Sequence, residues 1–309
     1  MHTIQQTPDV VVVGEALMDI VVSPQGSVEH PGGSPANVAY GLARLGVPTG
    51  LLTSLGEDHY AAAIEQHLHG AGVNLLSGSK RPGKTATATA TLAPDGSALY
   101  DFDIAWDLPL AAPTGLPKIL HTGSIAAFLE PGATKVKELL LHAHKRCVIT
   151  FDPNIRPALL GSQAEARISF EDLIPFTDVV KLSDEDALWL YPGLSLEDVL
   201  QRILECGAGL VVVTRGSEGS VLSTREATIV VPSVRSAVAD TIGAGDSYMS
   251  ALVYGLLQHG GAGLTPTALE SLGHMATKAA AITVRRQGAN PPTLEELQGE
   301  LPQFQTATQ

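Results

Sequence analysis

The sequence predicts an α/β protein: a doubly wound, mostly parallel sheet flanked by helices, with a small β-sheet lid. Two observations carry this reading. Short β-branched runs such as Val10–Val13, Val148–Asp152 and Leu210–Thr214 alternate with helix-period stretches along most of the chain, the order a parallel sheet requires. One stretch breaks the alternation. Residues 85–92 alternate Thr and Ala, Pro94-Asp95-Gly96 turns the chain, and residues 98–104 follow. Alternation around an Asp-Gly turn is a hairpin signal. A hairpin set into a βα series stands off the main sheet, and it is read here as a lid.

The elements follow in order. Val10–Val13 is a buried strand ending at Gly14, and residues 17–22 continue extended. Gly32-Gly33-Ser34-Pro35-Ala36-Asn37 is expected to turn. Val38, Leu42 and Leu45, with alanines between, give a helix stopped by Gly46. Residues 47–55 form a strand and 61–68 a helix ending near Gly70. After residue 117, residues 118–121, 148–152, 178–182 and 210–214 are expected as parallel core strands. Residues 221–231 make a second hairpin, and 246–258 and 269–284 two late helices. Residues 304–309 are expected to fray. There is no internal repeat and no low-complexity tract. Residues 1–309 are read as one domain, its lid formed by about 20–31 and 84–106. In such sheets ligands bind beyond the carboxyl ends of the strands.

Composition narrows the function. The chain has 309 residues, 44% apolar and 17% charged, which suffices for a sizeable core. Its net charge of −13 argues against nucleic-acid binding, which needs Lys and Arg against phosphates. Small phosphates remain possible ligands, because backbone N–H groups bind them without net positive charge. Cys147 and Cys206 lack metal-ligand spacing and read as free thiols of a reducing compartment. No basic region precedes an apolar core at the N-terminus, and no run approaches the ~20 apolar residues of a membrane helix. A cytoplasmic location with no membrane partner is expected.

The most informative segment is Asp240-Thr241-Ile242-Gly243-Ala244-Gly245-Asp246, followed by a helix. The N–H groups of Gly243, Ala244 and Gly245 can point at an anion, aided by the helix dipole. That makes an anion hole for a transferring phosphoryl group. Asp246, on the first turn, can accept the proton of an attacking hydroxyl. By spacing alone, an Asp that caps a helix after a glycine turn explains the segment equally well.

The segment matches the second signature of the PfkB (ribokinase-like) carbohydrate kinases, Asp-Thr-x-Gly-Ala-Gly-Asp. Gly32-Gly33-Ser34-Pro35-Ala36-Asn37-Val38-Ala39, followed by Gly46 and Gly56, matches the first. The resemblance runs from about Val10 to about Leu297. It implies a ribokinase-like fold, ATP and Mg2+ as cofactors, K+ as an optional one, and a sugar substrate. It implies Asp246 as base and Gly243, Ala244 and Gly245 as the anion hole. Asp19, Gly32, Gly33 and Asn37 would hold sugar hydroxyls, with Phe102 or Tyr100 in contact. Without the family match, Asp19 and Asn37 read as turn and cap chemistry.

Asp152-Pro153-Asn154-Ile155-Arg156 is similar to a motif of the fructokinase and ketodeoxygluconate-kinase branches, where the Arg156 fork could bridge phosphate and substrate. A surface Arg in a strand-end loop is the plainer reading. Thr214-Arg215-Gly216-Ser217-Glu218-Gly219 resembles the family's nucleotide loop, which gives Thr214, Gly216 and Gly219 to the nucleotide. Lys181-Leu182-Ser183-Asp184-Glu185-Asp186 lies where the family places an acidic magnesium site. Ser183 replaces the usual Asn there, and Asp186 the usual Glu, so Glu185 and Asp186 are both candidates. Ala61 stands where many members have Gly.

Gly14-Glu15-Ala16-Leu17-Met18-Asp19, the Asp152–Arg156 segment and Arg285-Arg286-Gln287-Gly288-Ala289 resemble bacterial fructokinases most. Asp19 argues against ketodeoxygluconate, an acidic substrate. Ribokinase-like and nucleoside-kinase-like activity stay open, as does a non-catalytic sugar sensor on the same scaffold. A homodimer through the lid is compatible with the sequence. Residues 78–85 fit the P-loop pattern GxxxxGK[ST], but Pro82 removes a cradle N–H and a strand pattern follows where a helix is needed. The pairs His67/His69 and His142/His144 diverge on helices and do not suit a metal. Tyr100, Phe102 and Trp106 are read as lid core or as cover for the sugar.

Overall fold

The computed structural model describes residues 8–24, 26–92, 98–108, 115–260 and 263–300. In chain order its strands are β1 (Val10–Val13), β2 (Leu17–Ser23), β3 (Gly26–Gly32), β4 (Thr49–Leu52), β5 (Asn74–Leu75), β6 (Thr87–Leu92), β7 (Ala98–Asp103), β8 (Ile119–Gly123), β9 (Val148–Asp152), β10 (Val179–Ser183), β11 (Leu210–Thr214), β12 (Ser220–Ser223) and β13 (Thr228–Val231). Its helices are α1 (Ser34–Arg44), α2 (His59–Ala71), α3 (Gly132–Ala143), α4 (Gln163–Leu173), α5 (Asp184–Leu190), α6 (Leu196–Cys206), α7 (Ala244–His259), α8 (Pro266–Thr283) and α9 (Leu294–Gln298).

Among the described residues the main sheet has nine strands in the order β13-β12-β11-β10-β9-β8-β1-β4-β5. From β5 to β11 neighbours run parallel, and β12 and β13 add an antiparallel hairpin edge. The chain leaves β1 toward β4 and β5, then returns to the other flank through β8. The switch point is therefore at β1, and β1 carries Gly14 and Glu15 at its carboxyl end.

Side-chain alternation splits the core in two. Val10 and Val12 of β1 pack with α1, α2, α7 and α8 on one face. Val11 and Val13 pack with α3, α4, α5 and α6 on the other. Leu210 and Val212 of β11 face the first core, Val211 and Val213 the second. Strands buried on both faces read as unbroken apolar runs, which is why these were the clearest in the sequence.

A second sheet, β3-β2-β6-β7, is separate from the first. β2 pairs β3 antiparallel and β6 parallel, and β6 pairs β7 antiparallel from Thr87↔Asp103 to Leu92↔Ala98. The hairpin read from alternating Thr and Ala is therefore present; its turn at Pro94-Asp95-Gly96 lies outside the described residues, as do residues 304–309. Two boundaries differ from expectation. Residues 32–37 are no loop: Gly32 ends β3 and Ser34 already begins α1, with Pro35 in its first turn, where a missing N–H costs nothing. The strand expected over 47–55 keeps regular pairing only at Thr49–Leu52. Trp106 is 3% exposed in the second core, its Nε1 donating to Ala126 O at 3.1 Å, so it belongs to the main body rather than to the small sheet. Residues 78–85 lead into strand β6, as the rejection of a P-loop required.

Candidate active site

Two helix starts meet beyond the carboxyl ends of the strands. α7 begins after Gly243, which sits at φ +74° with no side chain capping the helix. A Cβ on Gly243 would come within 2.6 Å of the Ala289 Cβ, so only glycine lets the loop lie against that segment. Asp240 fixes the loop from below: Oδ1 accepts from Ile242 N at 3.0 Å and Oδ2 from Gly288 N at 2.8 Å. The result is an open, uncapped start to a 16-residue helix, a geometry that suits an anion.

Asp246 stands on that first turn, 9% exposed. Its two oxygens are held from α1: Ser34 Oγ donates to Oδ1 at 2.6 Å and Asn37 Nδ2 to Oδ2 at 2.9 Å. Both partners are donors, so the carboxylate is fixed as an acceptor. Helix packing aligns the three residues. Gly41 of α1 abuts Ser250 of α7, where a Cβ would lie 2.4 Å from Ser250 Oγ, and that hydroxyl donates to Asp246 O at 2.7 Å. Ser34 and the Gly41–Ser250 contact were not among the expected site residues. Ser34 lies inside the first glycine signature, and its spacing there does not mark it as a partner of Asp246.

Asp19 faces the same space from β2. In the small sheet His30, Asp19, Ala88 and Phe102 form one lateral row, so their side chains share a face. A Cβ on Gly32 would sit 1.9 Å from Asp19 Oδ2, so glycine at 32 makes room for the carboxylate. Gly33, at φ +98°, would put a Cβ 2.6 Å from Glu15 O. Burial pushes the Asp19 carboxyl up to about 6; Arg156 and His30 pull against this, and Asp246 adds to it. Asp19, Arg156 and Asp246 are thus electrostatic neighbours. Arg156 is exposed, with Nη1 donating to Asn154 Oδ1 at 2.8 Å. Phe102 is half-buried and stacks on the exposed Tyr100, centroids 6.0 Å apart.

Glu15 lies beneath the site, 4% exposed, and its Oε2 has no hydrogen-bond partner. Burial raises it to about 8, against a lowering by Ser124 and Arg156. Such a group is a neutral acid at pH 7. Nothing in its spacing separated it from the turn around it.

The acidic candidates divide. Asp186 is buried; Oδ1 accepts from Ile155 N at 2.9 Å and Oδ2 from Ser183 N at 3.0 Å, while Ser183 Oγ caps α5 in return. Glu185 is exposed. Among the described residues no cluster of three or more His, Cys, Asp or Glu side chains is arranged as a metal cage. Asp186 and Glu185 together offer the one or two carboxylates that magnesium takes when substrate phosphates and several waters complete its shell. Thr214 ends β11, and a short turn over residues 216–218 follows. Gly219 sits at φ +90°, and β13 leaves no room for a side chain there: a Cβ would lie 2.0 Å from Val231 O. Gly216, at φ +49°, faces open space.

One buried ion pair lies under the glycine loop. Lys181 Nζ contacts Asp152 Oδ2 at 2.7 Å, with the side chains 5% and 1% exposed.

A switch-point crevice with an uncapped glycine-loop helix and a clamped carboxylate defines a phosphate-handling α/β enzyme scaffold. The chain belongs to the pfkB family of carbohydrate kinases, whose model matches residues 7–296. It is 30% identical over 304 residues to a fructokinase of Escherichia coli, covering 94% of this chain and 98% of that one. The fold is shared with a fructokinase of Xylella fastidiosa with bound ATP, at TM-score 0.81 and 26% identity, covering 94% and 97%. It is shared also with a double mutant of the Vibrio cholerae fructokinase bound to fructose, ADP and potassium ion, at TM-score 0.80 and 25% identity, covering 92% and 95%.

Proposed function

We propose that this carbohydrate kinase transfers the γ-phosphoryl group of ATP to a hydroxyl of fructose, giving fructose 6-phosphate. The observation that carries the reading is the clamp of Ser34 and Asn37 on Asp246 at the uncapped start of α7. In the proposed step the sugar oxygen bonds to Pγ as the bond from Pγ to the β-bridging oxygen breaks. The bond pair leaves with ADP, and the hydroxyl proton goes to Asp246. The N–H groups of Gly243, Ala244 and Gly245 receive the charge of the transferring group.

Asp19 and Asn37 accept and donate to sugar hydroxyls, Gly32 and Gly33 let the sugar lie against backbone, and Phe102 covers it. Arg156 reaches phosphate and substrate by leaving its contact with Asn154. Thr214, Gly216 and Gly219 border the nucleotide. Asp186, with Glu185, would hold magnesium through water, and magnesium neutralises charge on the phosphates. Potassium, bound in the Vibrio cholerae relative, would lie beside the anion hole. β2, β3, β6 and β7 act as the lid that keeps water from the phosphoryl group. The fructose assignment draws on the fructokinases at about 30% identity.

The test is ADP release with Mg-ATP against fructose, ribose, ketodeoxygluconate, adenosine and several hexoses, with and without potassium. A clear preference for fructose is expected. Preference for another acceptor keeps the kinase and changes the sugar. No ADP with any acceptor, together with calorimetric sugar binding, would make the chain a sensor.

A further inference from the structure

We propose that Lys181 is a catalytic cation beneath the glycine loop, where its ammonium contacts oxygens of the transferring phosphoryl group, and that Asp152 is the positioning residue that holds it there. The proposal rests on the reading of α7 as the phosphoryl site.

Asp152 is the last residue of β9 and Lys181 the middle residue of the parallel neighbour β10, each one position beyond the paired Val180 and Phe151. Lys181 Nζ is 2.7 Å from Asp152 Oδ2 in a buried pair. A Cβ built on Gly245 would lie 3.2 Å from the same Nζ, so the ammonium abuts the first turn of α7. Among the described residues Asp152 is its hydrogen-bond acceptor, and an ammonium has three donors, so donors remain for a ligand.

Stability does not account for the pair. Desolvating two charges offsets most of their attraction, and apolar side chains of similar volume would serve the core as well. Asp152 Oδ1 is itself buried without a partner. The charge is also well supported. Burial pulls the Lys181 ammonium down, but Asp152, Asp186 and Asp246 more than offset this and leave it raised. On the far side, burial and the Lys181 charge push His121 down to about 3, so that imidazole is neutral at pH 7. The group facing α7 is thus a protonated ammonium at pH 7, and a lysine ammonium serves phosphate as a point charge with rotatable donors. It keeps its proton throughout. Asp246 takes the sugar's proton, and Lys181 meets only the negative charge on the phosphoryl oxygens.

The test compares Lys181→Met and Lys181→Gln with the parent. Turnover at saturating substrates is measured, and calorimetry gives the affinities for Mg-ADP and for a magnesium complex of a non-hydrolysable ATP analogue. kcat is expected to fall at least about a hundredfold, as for loss of one anion-hole donor. Affinity for the triphosphate should fall about tenfold more than that for ADP. Equal changes for the two nucleotides, or kcat within about threefold of the parent, would overturn the proposal. If either single variant fails to fold by circular dichroism, Lys181→Met/Asp152→Asn removes both charges and carries the same nucleotide comparison. Asp152→Asn alone should move the alkaline limb of the kcat profile to lower pH, because Lys181 loses its counterion while staying buried. An unmoved limb would return Asp152 to a packing role. A parent that turns over no sugar sinks the kinase reading, whereas an active parent with indifferent Lys181 variants sinks only this one.

Discussion

Asp246 differs from a helix cap in what surrounds it. A capping Asp turns its oxygens to the N–H groups of its own first turn; Asp246 gives both to side chains of another helix, Ser34 and Asn37. Spacing alone left the two readings equal, because spacing carries no information about a contact over two hundred residues away. Asp19 shows what burial adds. Held up to about 6, it is ionised at pH 7 and takes a proton below about 6. A carboxylate that accepts sugar hydroxyls loses an acceptor on protonation, so KM for the sugar should rise as pH falls through about 6. Initial rates at pH 5 to 8 check this, and the acid rise should be absent in Asp19→Asn. Glu15 gives a stability prediction. Its folded value of about 8 lies above the ordinary 4.5, so the folded state binds more protons between those values. Its contribution is complete below about pH 4.5 and is lost as pH rises toward 8. Denaturant midpoints should show the parent losing more stability than Glu15→Gln between pH 5 and 8.

The contact of α1 with α7 is where an element sets the chemistry. Ser34, Asn37 and Gly41 lie on one side of α1, since three- and four-residue steps return to the same face. Gly41 lets that face approach α7 at Ser250. Gly41→Ala adds a good helix former yet forces apart backbones that carry the clamp on Asp246. kcat should fall at least about tenfold while calorimetric ADP affinity stays within about twofold. Gly41→Ala/Ser250→Gly should recover part of the loss by restoring room. A parental kcat in Gly41→Ala would mean that the clamp tolerates displacement. The elements themselves were legible where periodicity was strong: β1, β9, β10 and β11 were read close to their observed bounds, and so were α7 and α8. The start of α1 was missed because Gly32-Gly33-Ser34-Pro35 has turn composition, while Pro35 in fact occupies a first turn. Trp106 was misread because an aromatic next to a hairpin says nothing about which core it enters.

Across the molecule, the sheet separates two cores, and Asp19 of the small sheet lies within electrostatic reach of Asp246 of the main body. The sequence made the two glycine signatures visible, and with them the family. It did not disclose Lys181–Asp152 or Glu15, because a charge inside a strand-end motif looks the same whether it faces water or core. The small sheet sets Asp19 and Phe102 in one lateral row, and Asp19 is an electrostatic neighbour of Asp246, a relation between residues far apart in the chain that exists only in the folded protein. The central claim is that Asp246 takes the proton of the acceptor hydroxyl. It is tested most directly by kcat of Asp246→Asn, measured beside calorimetric sugar affinity. The account predicts a fall in kcat of at least about a hundredfold, the lower end for a general base, with sugar affinity within about threefold of the parent. Near-parental turnover in Asp246→Asn would contradict it.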